Sequence, residues 1–137
     1  PLPFVIVEST SMVHEGSINN WWSVHYAWYD QNNITLDEFK KWDFKNGLNK
    51  GDVIIVFGKK DYQTGDIIIF DNLKDKTPII HRVVIENEDR TVQTKGDHND
   101  GQHPYESSIR EKQILGKSVA RVPYIGWVKL FFVELVK

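Results

Sequence analysis

The chain contains no cysteine. That removes disulfides, thiolate catalysis and cysteine-ligated zinc, and leaves the redox compartment open, because a cysteine-free chain tolerates any redox poise. Long apolar runs are missing as well: spanning a bilayer takes about 20 consecutive apolar residues, and no stretch of this sequence comes near that. Nor is charge of either sign concentrated. The 17 Lys and Arg residues against 19 Asp and Glu residues are scattered rather than clustered, so the basic footprint of a nucleic-acid binder is absent. An initiating methionine is lacking too, the chain opening Pro1-Leu2-Pro3, and a preceding segment is therefore expected. What remains is globular composition, 40% hydrophobic and 26% charged over 137 residues, the size of one ordinary domain. We expect a single domain over residues 1–137.

Residues 4–7, Phe-Val-Ile-Val, read as a β-branched strand ending in the polar cluster Glu8-Ser9-Thr10-Ser11. Residues 16–46 have another texture, with Trp21, Trp22, Trp28 and Trp42 beside Tyr26 and Tyr29. Within them Thr35-Leu36-Asp37-Glu38 is a capping box. Leu36, Phe39 and Trp42 would then share a face, which predicts a short helix of two or three turns. From residue 47 the pattern turns to strands. Gly51-Asp52 and Gly65-Asp66 each feed a continuous apolar run, 53–57 and 67–70, as expected of buried strands. Further strands are predicted at 79–85, 91–95, 116–122 and 127–133. Short strands between Gly, Asp and Asn turns predict a mostly-β fold, a small barrel or sandwich of antiparallel strands, with one short helix in the 16–46 insertion.

Three segments carry possible chemistry. Ser11 ends a strand beside small polar neighbours; such clusters are ordinarily turns, but a serine there can present its hydroxyl to a cleft. His81 sits inside the apolar run 79–84. A histidine so placed is usually a satisfied core residue, and the alternative is a general base. Alternation sends Arg82 to the opposite face, outward. Asp97 and Asp100 lie in the glycine-flanked turn 96–101, as turn formers or as the acid that orients an imidazole.

Taken in order, these residues resemble the type I signal peptidase family, in the branch found in archaea and the endoplasmic reticulum. Ser9-Thr10-Ser11-Met12 is similar to its nucleophile box, and the two Gly-Asp strands follow. His81-Arg82-Val83 matches the box in which that branch has histidine and bacterial members lysine. Thr94-Lys95-Gly96-Asp97 and Pro123-Tyr124-Ile125-Gly126 match two later boxes. Only residues 16–46 lie outside the resemblance. It implies a fold of the signal-peptidase and LexA-like kind and a serine endopeptidase that removes signal peptides from secretory pre-proteins. Ser11 would be nucleophile and His81 base, with the Ser11 N–H and Ser9 hydroxyl meeting the oxyanion and no metal or other cofactor. The family's downstream aspartate falls at His103 here. A short deletion aligns Asp100 with it, so Asp100 is the expected triad acid and Asp97 a supporting turn residue. The family's proline after the nucleophile box is replaced by His14, read as a loop residue. The resemblance also implies an amino-terminal anchor holding the site at the outer face of the cell membrane. Trp21, Trp22, Trp28, Phe131 and Phe132 are candidates to touch lipid. Other readings are a self-cleaving repressor-type peptidase using Lys95, a β-barrel module whose His14, His98 and His103 gather a metal, and an inactive assembly subunit.

Overall fold

The computed structural model describes residues 4–123. Its elements are β1 (Phe4–Ile6), α1 (Ile18–Gln31), α2 (Leu36–Phe39), β2 (Val53–Phe57), β3 (Ile67–Phe70), β4 (Ile79–Glu86), β5 (Val92–Lys95) and β6 (Ile114–Val122), with 3₁₀ turns at Pro104–Ser107 and Glu111–Gln113. The strands form one six-stranded sheet in the order β1-β2-β6-β3-β4-β5, each neighbouring pair antiparallel. The mostly-β expectation holds, as a single sheet with β1 and β5 at its edges. The strand expected at 127–133, together with Phe131 and Phe132, lies outside the described residues.

The two Gly-Asp turns are built alike. Asp52 accepts a hydrogen bond from the Asn49 N–H (2.7 Å) and Asp66 one from the Gln63 N–H (3.0 Å), each closing its own turn. Each carboxylate then meets a cation on β6: Arg121 Nε at 2.6 Å from Asp52, and Lys117 Nζ at 3.1 Å from Asp66. The repeat in the sequence is thus a repeat in how β2 and β3 are tied to the strand between them. β3 is buried along its whole length, the environment its unbroken apolar run requires.

Residues 16–46 differ most from expectation. They hold a 14-residue helix, α1, that periodicity had not exposed, while the helix expected after Thr35 is a single turn. Thr35 does cap it, accepting from the Glu38 N–H at 3.2 Å. The helix stops because its bonding tightens: Lys40 still donates to the Leu36 carbonyl, but Lys41 and Trp42 donate three residues back, to Glu38 and Phe39. Ser17 caps α1 by accepting from the Asn20 N–H at 3.2 Å. Trp21, Tyr29, Ile34 and Phe39 pack with Val84 of β4 as a buried cluster, with Trp22, Trp28 and Trp42 half-buried against it. Trp21, only 2% exposed, therefore faces the core and not lipid. The insertion is a layer on the sheet, and truncating a ring such as Phe39 to alanine should cost about 3–5 kcal/mol.

Candidate active site

Ser11 lies in the turn after β1, pinned on both sides. Its carbonyl accepts from the His98 N–H at 2.8 Å, and the carbonyl of buried Met12 accepts from the Leu48 N–H at 2.8 Å. Gly47 makes this approach possible: at φ +77° it has a conformation that favours glycine, and a Cβ there would sit 2.3 Å from the Met12 carbonyl oxygen.

His81 comes from β4, in register with Ile68 of β3. Strand alternation puts it on the face shared with Val83, opposite Arg82 and Val84. Its Nε2 lies 3.1 Å from the Ser11 Oγ, although 70 residues separate the two. Its Nδ1 pairs with the Glu106 Oε1. Glu106, fully buried in the 3₁₀ turn Pro104–Ser107, also accepts from the Thr94 hydroxyl at 2.8 Å and the His103 N–H at 2.8 Å. Burial alone pushes its carboxyl up, but the His81 ring and these donors together hold it below the ordinary glutamate value. Ser9 completes the cluster: its hydroxyl is 3.0 Å from the Ser11 Oγ and accepts from the Ser11 N–H at 3.3 Å.

Asp100, the acid expected beside His81, and Asp97, expected as a supporting turn residue, both lie away from the imidazole. Asp100 is fully exposed, with the His25 Nδ1 at 3.8 Å. A side chain at the tip of the turn reaches solvent and not the imidazole. Asp97 is buried but points to the other face of the sheet. There Arg82 grips it through Nε and Nη2, both at 2.9 Å, and His14 Nε2 lies 2.7 Å away. Burial opposes the Asp97 charge, yet Arg82 and His14 hold its carboxyl far below the ordinary aspartate value. Two further expectations change with it. His14 is a buried member of this network, and Arg82 is fully buried, donating also to the carbonyls of Asp43 (2.7 Å), Phe44 (2.7 Å) and Gly65 (2.9 Å).

The competing readings lose their geometry. Lys95 Nζ bonds the Tyr29 hydroxyl at 3.1 Å and the Gly96 carbonyl at 2.9 Å, and not Ser11. His14, His98 and His103 go three ways: to Asp97, to the ring of His25, and into the stack with His81 and Tyr105. Among the described residues no three potential metal ligands converge.

Ser11 and His81 stand at one end of a groove of about 730 Å³, walled by residues 4–9 with Met12 on one side and 75–80 on the other. Among the described residues β1 lies at one end of the strand order, and β4 meets β5 from Arg82 onward. Both strands border the groove. Among the described residues no helix is long and apolar enough to cross a membrane.

No family model and no solved structure matches the chain. Curated proteins do. The signal peptidase complex catalytic subunit SEC11 of Ogataea parapolymorpha is 31% identical over 112 residues, covering 65% of this chain and 62% of that protein. The SEC11 subunits of Fusarium vanettenii (30% over 99 residues, covering 64% and 57%) and Komagataella phaffii (29% over 102 residues, covering 64% and 60%) are similar to it as well. The chain spans about three fifths of the length of these relatives. By sequence this chain is similar to catalytic subunits of the signal peptidase complex, and its mostly-β fold is consistent with that likeness.

Proposed function

We propose that this chain is a serine endopeptidase that removes amino-terminal signal peptides from secretory pre-proteins, with Ser11 as nucleophile, His81 as general base and Glu106 as the carboxylate that orients His81. The observation that carries the reading is the line Ser11 Oγ, His81 Nε2, His81 Nδ1, Glu106 Oε1, which has the connectivity of a nucleophile–base–acid relay. With Nδ1–H donating to Glu106, Nε2 is free to take the Ser11 proton as the hydroxyl attacks the scissile carbonyl, and to return it to the leaving amine. The imidazolium formed between these steps faces a buried carboxylate. The Ser11 N–H and the Ser9 hydroxyl lie beside the nucleophile and are our candidate oxyanion donors; one such donor is typically worth about 10²–10³ in rate.

The substrate enters the groove extended and lies as a strand alongside β1 and β4, a mode in which main-chain bonds supply affinity and side-chain pockets supply choice. A histidine at position 81 in the role of base supports a reading within the archaeal and endoplasmic-reticulum branch. We further propose that the domain works at a membrane surface, on the face where signal peptides emerge, held by a segment outside residues 4–123.

The test is incubation of the chain with a purified pre-protein in detergent, followed by sequencing of the new amino terminus. Cleavage at the signal-peptide junction is expected, and Ser11→Ala and His81→Ala should each abolish it while the folded state is retained at the assay temperature, as circular dichroism would show. Full activity in either variant would sink the assignment.

A further inference from the structure

We propose that the insertion 16–46 is a brace that sets the distance between nucleophile and base, with Trp21 as its positioning residue; this rests on the peptidase reading. The contact begins at α1. The Trp21 indole N–H donates to the Asp97 carbonyl at 2.9 Å, and the indole lies flat on the His14 ring (4.0 Å between centroids, 3° between planes). His14 in turn bonds the Asp97 carboxylate. One indole therefore fixes both the backbone and, through His14, the side chain of Asp97.

That residue belongs to the turn against which the nucleophile is set. The Asp97 N–H points at the Met12 sulfur at 3.4 Å, and the His98 N–H holds the Ser11 carbonyl. Between them Gly96 leaves almost no slack: a Cβ there would lie 2.9 Å from both the His81 Nε2 and the Ser11 carbonyl oxygen. A shift of the turn toward the site collides with the imidazole, and a shift away carries Ser11 out of reach. The far end of the insertion grips the base's side, since the carbonyls of Asp43 and Phe44 accept from Arg82, the residue next to His81. The same layer thus holds the nucleophile's turn at one end and the base's strand at the other. A hydrophobic lip would need neither hydrogen bond.

Trp21→Phe keeps an aromatic ring against His14 and deletes the N–H together with part of the indole's buried bulk. Val24→Ser, on the exposed face of α1 at 72% exposure, is the control. Against a pre-protein peptide, Trp21→Phe should lower kcat about tenfold or more, since misplacement of a reacting group by a fraction of an ångström is costly. KM should stay within about twofold, and the acid limb of the pH profile should not move, because the His81–Glu106 pair is not in contact with Trp21. Val24→Ser should match wild type. Hydrogen exchange supplies a readout free of catalysis: the His98 amide should exchange about tenfold faster in Trp21→Phe and at the wild-type rate in Val24→Ser. Wild-type kcat in Trp21→Phe, a moved acid limb, or unchanged His98 exchange overturns the brace. A wild-type chain that cuts no pre-protein removes the peptidase reading instead, and the exchange rates still decide whether the turn is held by Trp21.

Discussion

Glu106→Gln is the substitution that separates the geometry from the expectation of an aspartate. Oε1 accepts two donors, the His81 Nδ1–H and the Thr94 hydroxyl, and Oε2 accepts the His103 backbone N–H. An amide replaces one of these oxygens with a donor. If the NH₂ faces His103, two donors confront each other, and a backbone N–H cannot turn away. If it faces His81, the Thr94 hydroxyl rotates to accept and the imidazole changes tautomer. The second arrangement is the less costly one. It leaves the proton on Nε2, directed at Ser11, so the base can no longer accept. The corresponding Asp→Asn change in the chymotrypsin triad costs about 10⁴ in kcat through the wrong tautomer, and a loss of that order is expected here. The assay is steady-state cleavage of a pre-protein peptide, with thermal unfolding to show that the variant folds. Loss of the negative charge also withdraws support from the imidazolium, so the residual activity should have its acid limb at lower pH. Asp100→Asn, at the exposed tip of the turn, should act like wild type. Glu106→Gln within about threefold of wild type, or Asp100→Asn more damaging than Glu106→Gln, would refute the assignment.

Gly96→Ala should fold but lose at least about tenfold in kcat. Its Cβ meets the Asn99 amide at 2.6 Å, which can swing aside, and the Ser11 carbonyl at 2.9 Å, which cannot; undiminished turnover would show that the turn has room to spare. Lys95→Met tests a buried cation. Burial pulls the Lys95 ammonium down to about 8 against the pull of Asp97 and Glu106. Above pH 8 the unfolded chain still holds the proton that the folded protein has released, so Lys95 contributes a stability that rises with pH. Above pH 10 Tyr29, held well above its usual range by burial and by Asp97, works in the opposite direction. Denaturant unfolding should therefore show wild type gaining about 2 kcal/mol on Lys95→Met between pH 7 and 9.5, and parallel curves would contradict it.

Local chemistry in the sequence sufficed for the sheet and for two members of the site. β-branched runs closed by Gly-Asp turns announce β2 and β3, and Ser11 and His81 each sit in a box with its own composition. The third member had no such mark. Glu106 lies among polar residues, and nothing in that composition tells a buried carboxylate from a solvated one. The available signal was positional: Pro104 followed by Glu106 resembles the start of a helical turn, with an acidic residue free to accept backbone N–H groups. Arg82 was misplaced for a related reason. Alternation correctly put it on the face opposite His81, but a charged residue was assumed to face water, and only the fold reveals that α2 and the turn at Asp43 cover that face. α1 was hidden because its buried stripe is made of Trp, His and Tyr, residues with no marked helix preference, although Ser17 and the spacing of Ile18, Trp21, His25 and Trp28 did mark its start and face.

Two buried carboxylates flank this part of the sheet, and their partners decide which of them can serve a base. Asp97 is gripped twice by Arg82, whose guanidinium keeps its charge at every relevant pH. Its field is already compensated before any reaction begins, and a proton arriving on an imidazole changes little for it. Glu106 is surrounded, His81 apart, by neutral donors, the Thr94 hydroxyl and the His103 N–H. The cation that touches it directly is the imidazolium formed on His81 while the Ser11 proton is in transit. A carboxylate with a permanent cation stabilises the fold, whereas one whose cation exists only during turnover stabilises the transition state. Exchanging those environments should exchange the roles: Arg82→Met leaves Asp97 buried with only His14, so folding stability should fall by about 3–5 kcal/mol. The Ser11–His81–Glu106 contacts involve no Arg82 atom, and the fraction of Arg82→Met that remains folded should keep its pH profile. A moved acid limb in that folded fraction would mean that Asp97, and not Glu106, senses the proton on His81.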